Sequence, residues 1–340
     1  MGHRFLRYFL ICCLILPSAA CAGDGSDDRN DDNGGNDDDG SKRPYSEMMY
    51  VKRQGDDLYI SAKMDASTDI LYWFKRCLFN EVYTFYRVGT RSNTDRMPTT
   101  RPESEPDVVL NLAYSDNIGP FSIQGGGWCG ANHKYMERTA RTAYNKDFSV
   151  TVDGQPLTGD KAVWSRQGIT IEAENVILDP THPYQDANGQ EELRDELCHE
   201  FATYRIFRNN IDVAVRHSFC CKNPVTIAIY YGMQSMFANK THFATPDGAY
   251  SNWTTPPAAG ESSFTKAGYP DFRRFVEKNT KAYQSAFLLP DGLGDHSWLT
   301  DSDVMFICAS YGKSYHKLIS NKPIQNGDRI NWRGVYTWFV

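Results

Sequence analysis

Residues 198–221 read CHEFATYRIFRNNIDVAVRHSFCC. Apolar and polar side chains alternate on both sides of Asn209 and Asn210, the period of half-buried strands. Asparagine tolerates positive φ, so these two residues predict a two-residue type I′ turn and a β-hairpin. A loop of that length fixes the register. Ile206 should face Val213, Tyr204 Val215, Ala202 His217, Glu200 Phe219 and Cys198 Cys221.

One face of this hairpin gathers Cys198, Ala202, Ile206, Val213, Val215, Phe219 and Cys221, with Glu200, Tyr204 and His217 among them. A carboxylate, a phenol and an imidazole on an apolar face are costly unless they bond to one another. Such groups have the shifted pKa values that acid-base chemistry needs. Glu200, Tyr204 and His217 are therefore candidate catalytic residues, or else a satisfied polar cluster of the core. The other face carries His199, Thr203, Arg205, Asp212, Arg216 and Ser218. It reads either as a solvated sheet surface or as the floor of a sugar-binding groove, in which Arg205 and Arg216 would hold a carboxylate or sulfate.

The same period runs through the chain. Strands are expected over 58–62, 70–78, 82–88, 108–114, 148–152, 169–178, 197–207, 211–220, 225–231, 304–309 and 335–340, separated by Gly, Asn, Asp and Pro clusters. This predicts an all-β fold, an antiparallel β-sandwich of jelly-roll or supersandwich type, forming one domain over 45–340. Residues 271–284 (DFRRFVEKNTKAYQ) are the best helix candidate, with Phe272, Phe275 and Val276 on one side. Two long loops, 91–106 with three prolines and 238–268 with Tyr250 and Trp253, are candidates for shaping a site. The ending WRGVYTWFV places Trp332, Tyr336, Trp338 and Val340 in even steps, as a core strand requires.

A second dense region is 115–144, SDNIGPFSIQGGGWCGANHKYMERTARTAY. Its glycine run lacks the GK[ST] ending of a phosphate loop. It is expected to let backbone approach a ligand and to present Trp128, with His133 as a further candidate acid-base group and Arg138 and Arg141 as substrate contacts. Tyr231 joins Trp128 as an aromatic sugar platform. Glu172 and Glu174 alternate onto the polar side of their strand and form a candidate carboxylate pair for glycosidic hydrolysis. Segments 179–192 and 291–303 are oxygen-rich and could take calcium, although neither keeps the spacing of a known calcium loop. No Cys-x-x-Cys or Cys/His spacing points to zinc, so no metal ligand is expected. Six cysteines after residue 45 allow fifteen full pairings, Cys198 with Cys221 among them.

The chain has 340 residues and a net charge of -6, but the charge is uneven. Residues 21–40 hold eight aspartates against Arg29, while Arg4 and Arg7 precede them, which leaves 41–340 at -1. With a nearly neutral body, neither a basic nucleic-acid surface nor a strongly acidic one follows from the charge, and no nucleic-acid partner is expected. Arg4, Arg7, the apolar run FLICCLIL and Ser18-Ala19-Ala20 read as an export signal over 1–20, too short to span a bilayer. Cys21 stands at the cleavage point, and the Asp/Gly/Asn tether over 21–44 is expected to stay extended.

This start resembles that of surface-exposed lipoproteins of the Bacteroidota, in which the cysteine after the signal is lipidated and an acidic stretch directs export. The resemblance implies that Cys21 carries the lipid and that the body faces the exterior from the outer membrane. With its aromatic-rich β body, the chain is similar in general manner to the glycan-capturing and glycan-degrading proteins of that surface. It matches no catalytic family motif; Tyr230 to Gln234 (YYGMQ) is a faint echo of alginate lyases. The expected function is polysaccharide cleavage, by a lyase or a glycoside hydrolase, or else glycan binding without turnover. The expected partner is a glycan, and the expected membrane contact is the lipid alone.

Overall fold

The hairpin forms with its turn one residue earlier than expected. Phe207 pairs with Asn210, so that Arg208 and Asn209 make the turn, and Glu200 rather than Ala202 stands opposite His217. Cys198 faces Phe219 instead of Cys221, and neither cysteine is in a disulfide. Tertiary contacts account for the change. Tyr72 Oη donates to the Arg208 carbonyl at 2.8 Å, and Asn209 Nδ2 donates to the Trp338 carbonyl at 2.6 Å. Both bonds fix the turn from outside the hairpin, and Arg208 takes the positive φ of 54°. The register moved by two positions, an even number, so every side chain keeps its predicted face.

The computed structural model describes residues 44–111, 117–244, 253, 255–256, 261–265, 274–289, 303–308 and 312–340, with side chains of 261–265 and 303–308 excepted. The export signal, Cys21, the tether and nearly all of segment 291–303 lie outside these residues. Arg43–Val340 forms one compact unit. Among the described residues it is antiparallel β-structure with a single 3-10 turn, Tyr135–Glu137. No described helix is long and apolar enough to cross a membrane.

The fold is an all-β sandwich. One layer is a nine-stranded sheet in the order His242–Ala244, Arg274–Lys278, Tyr283–Leu288, Arg329–Phe339, Asn210–Phe219, Glu196–Phe207, Ile169–Leu178, Ala143–Val152 and Gln155–Pro156. Two six-stranded sheets cover its inner face. In the first, Met49–Gln54, Asp57–Lys63, Thr68–Cys77 and Val82–Ser92 are flanked by Lys161–Ser165 and Val108–Val109. In the second, Lys313–Ile324 and Val225–Ser235 lie between Asp303–Cys308 with Glu261–Thr265 on one side and Phe121–Ile123 with Gly127–Cys129 on the other. A bridge between Asn111 and Phe237 joins the two covering sheets.

The aromatic core explains the layers. Phe74 and Phe85 of the first covering sheet meet Tyr204 edge-on, and Tyr72 meets Trp338. Phe121 and Tyr230 of the second pack around His217, and Trp332 donates its indole N–H to Tyr230 Oη at 2.7 Å. Each such ring removes apolar surface worth about 1.5–3 kcal/mol from water.

Several expectations need correction. Segment 271–284 is no helix in its described part: Arg274–Lys278 and Tyr283–Leu288 form a hairpin. Asn279 turns the chain by accepting the amides of Lys281 and Ala282 on Oδ1, a local bond that competes with helix. Segment 108–114 is a strand only at Val108–Val109, and 112–116 lie outside the described residues. Trp332, Tyr336 and Trp338 are buried as predicted, but Val340 is exposed beyond the strand end. Between Trp332 and Tyr336, a Cβ on Gly334 would stand 2.3 Å from Met233 Sδ, so any other residue there has to displace that methionine.

Candidate functional site

The outer face of the nine-stranded sheet carries an open groove of roughly 630 Å³. Its shape follows from the register. One rung across the sheet is Ser149, Glu172, Thr203, Ala214 and Arg333, and the next is Asp147, Glu174, Phe201, Arg216 and Asn331. Small side chains at 149, 203 and 214 make a low floor. Phe201 and Arg216 rise on one side, where the guanidinium lies 4.4 Å from the ring centre. On the other side Arg333 Nη2 donates to Asp212 Oδ2 at 3.0 Å.

Charge is organised along the groove. Glu172 is exposed. Glu174 Oε1 accepts from Lys146 Nζ at 3.0 Å and lies 2.6 Å from His199 Nδ1. The bond to His199, opposed by partial desolvation and helped by Lys146, holds the Glu174 carboxyl below the ordinary carboxylate range. The result is a hydrogen-bonding floor with an aromatic edge and charges of both signs. Such a surface can bond hydroxyls and stack on a sugar ring.

The predicted site residues fall in different layers. Glu200, His217 and Tyr204 lie inside the sandwich, 5%, 0% and 0% exposed. Glu200 Oε2 is 3.0 Å from His217 Nε2, while Glu200 Oε1 accepts from Asn175 Nδ2 at 2.9 Å. Asn175 Oδ1 in turn accepts from Asn145 Nδ2 and the Tyr83 amide. Tyr204 is not in this chain of bonds; its hydroxyl donates to Thr84 Oγ1 at 3.0 Å, and burial pushes it well above the ordinary phenol range.

Trp128, His133 and Tyr231 are brought together on the second covering sheet. Trp128 stacks on His133 at 5.4 Å and on Tyr231 at 5.5 Å, and Tyr315 extends the row at 4.3 Å from Tyr231. The neighbours Cys129 and Tyr230 point into the core, so Trp128 and Tyr231 face the opposite way, outward from the sandwich, while Tyr315 is buried against Tyr231. His133 Nδ1 also lies 2.9 Å from Glu137 Oε1. Arg138 is exposed and paired with Glu191, and Arg141 with Glu81, each away from the groove. Arg216 lines the groove, whereas Arg205 stands on the rung beyond it, beside Asp212. In 179–192, Asp186 Oδ1 accepts the amides of Asn188 and Gln190 and closes a short hairpin.

The predicted residues thus occupy the interior and two outer faces, and no single groove contains them. His199 and Tyr315 were not predicted as site residues. The alternation of 198–207 already put His199 on the polar face, next to Glu174 of the neighbouring strand; Tyr315 lies in a strand, Lys313–Ile324, that was not expected at all.

No protein-family model matches the chain, and no curated protein matches it. Among solved structures, the galactosidase domain of an alpha-galactosidase-sucrose kinase is similar over 82% of this chain and 40% of its own, with 11% identity and a TM-score of 0.44. A GH36 alpha-galactosidase from Geobacillus stearothermophilus is similar over 85% of this chain and 40% of its own, with 12% identity and a TM-score of 0.40. The chain spans about 40% of the length of these structures.

Proposed function

We propose that this chain binds a polysaccharide along the outer groove of its nine-stranded sheet. The observation that carries the reading is the low rung of Ser149, Thr203 and Ala214, interrupted by the exposed Glu172, between Phe201–Arg216 and Arg333–Asp212. A sugar ring fits over that floor with hydroxyls toward Glu172, Thr203 and Asn331, while Arg216 takes an acidic substituent. The protein is held at the outer membrane by a lipid on Cys21 and faces the exterior. The aromatic pair of Trp128 and Tyr231 is a second contact for the same polymer, with the buried Tyr315 packed behind Tyr231.

Binding is favoured over cleavage at Glu200, His217 and Tyr204, because a polymer has no access to groups 5% or less exposed. Cleavage remains the second reading for the groove itself, on one observation: Glu174 holds His199 at 2.6 Å beside the exposed Glu172, a pairing suited to acid-base work. A glycan array with the purified chain tests both. Retention of a polysaccharide, weakened about tenfold by Arg216→Ala, is the expected result; a tenfold loss corresponds to about 1.4 kcal/mol. Retention unchanged by Arg216→Ala, or no retention at all, rejects the groove. New reducing ends or unsaturated products would place cleavage ahead of binding. For the anchor, Cys21→Ser should release the protein from membranes, and continued membrane partitioning rejects it.

A further inference from the structure

Glu196, His199 and Cys220 converge beyond the end of the groove. In a regular strand, positions 196 and 199 point to opposite faces. Here the pairing with Ile169–Leu178 slips, Leu178 facing Glu196 while Ile177 faces Cys198, and this bulge turns Glu196 to the same side as His199. Bulges that re-aim a side chain recur at functional sites. Cys220 follows directly on the neighbouring strand Asn210–Phe219, tied by its amide to the Leu197 carbonyl at 3.0 Å. His199 Nε2 is 3.0 Å from Glu196 Oε2, Cys220 Sγ is 3.8 Å from the same oxygen, and all three donor atoms lie within 4.8 Å of one another.

We infer that Glu196, His199 and Cys220 bind a single divalent ion of borderline softness, with Zn²⁺ as the fit. Bonds of about 2.0–2.3 Å in a tetrahedron separate donors by about 3.3–3.7 Å, close to the 3.0 and 3.8 Å edges present. The imidazole, thiolate and carboxylate set suits Zn²⁺ and disfavours Ca²⁺ or Mg²⁺. An independent feature supports the reading. Glu174, from another strand, accepts from His199 Nδ1 at 2.6 Å, which fixes the ring and turns Nε2 toward the other two donors. A carboxylate behind a histidine ligand is the usual outer partner of a metal site. Three protein donors leave the fourth position for water. The spacing in the sequence hides this set, because its members come from one strand and from just past the end of another, and one depends on the bulge.

The test uses the full chain, stripped with chelator, kept reduced and titrated with Co²⁺ alone. Binding of one equivalent, with a thiolate-to-cobalt absorption band and the strong visible bands of tetrahedral cobalt, is expected, and Zn²⁺ should displace it. Cys220→Ser should abolish the thiolate band and His199→Ala the binding. Cys221→Ala should leave the spectrum unchanged. Glu174→Gln should keep the band but weaken affinity about 10–100-fold. Absence of the band, a band that follows Cys221, or affinity indifferent to Cys220→Ser and Glu196→Gln would overturn the inference. None of these readouts depends on glycan binding, so either reading can fail alone.

Discussion

Glu200 and His217 face each other across the central hairpin with Oε2 and Nε2 3.0 Å apart, and they are sealed between the nine-stranded sheet and Phe121 and Tyr230. The pair holds the two strands in register from inside. Glu200→Gln, which keeps the volume but weakens the bond and disturbs Asn175, should cost about 1–3 kcal/mol in urea unfolding. Glycan retention should be unchanged. A variant of native stability that loses retention or turnover would return this pair to the site.

Lys63 and Asp69 form a second buried pair, Nζ to Oδ1 3.0 Å, with both side chains 0% exposed. Lys63 also donates to the Asn93 carbonyl, while Asp69 Oδ2 accepts from Asn93 Nδ2 and the Thr99 amide. The pair therefore ties loop 91–106 to the sheet. Lys63→Met strands a buried carboxylate and should cost about 3–5 kcal/mol, whereas Lys63→Met with Asp69→Leu should recover part of the loss. Recovery of nothing would mean that the loop bonds, and not the charge, dominate.

Asp153 supplies a pH dependence. Partial desolvation raises its carboxyl, but bonds from the amides of Arg166, Gln167 and Gly168 and from Ser165 Oγ outweigh it and hold the group below the usual range. A depressed carboxyl contributes fully above its unfolded value of about 3.9 and loses that contribution as pH falls through the folded value. Asp153→Asn should therefore be less stable than the parent at pH 7, with the gap narrowing below about pH 4. Thermal melts of both proteins across pH 3–7 decide it, and a constant gap counts against the account.

Filling the groove separates its role from stability. Ala214 is half-buried on the low rung, so Ala214→Trp should lay an indole across the floor. Retention of polysaccharide should fall at least tenfold, while the unfolding free energy moves by no more than about 0.5 kcal/mol. Unaltered retention would move the contact to the row of Trp128 and Tyr231.

Face assignment was legible because side-chain parity survives an even slip: Glu200, Tyr204 and His217 point inward and His199, Thr203 and Arg216 outward, although their partners changed. The register was not, since Tyr72 and Trp338, far away in sequence, decide the turn at Arg208 and Asn209. The hairpin around Asn279 read as a helix because Phe272, Phe275 and Val276 fit that period over a short window. The groove was foreseen only as a polar face; its depth comes from residues of three strands aligning as Ser149, Thr203 and Ala214. The bulge that turns Glu196 toward His199 leaves no mark in the composition or spacing.

The strand Arg329–Phe339 lies inside the nine-stranded sheet, between Asn210–Phe219 and Tyr283–Leu288, and carries Trp332, Tyr336 and Trp338 into the core. Until residue 339 has been synthesised, two strand edges that belong together remain open, and the aromatic centre has no lining. Such sequence-distant closure makes folding slow and late. The core therefore closes only once residue 339 is in place, however early the other strands pair.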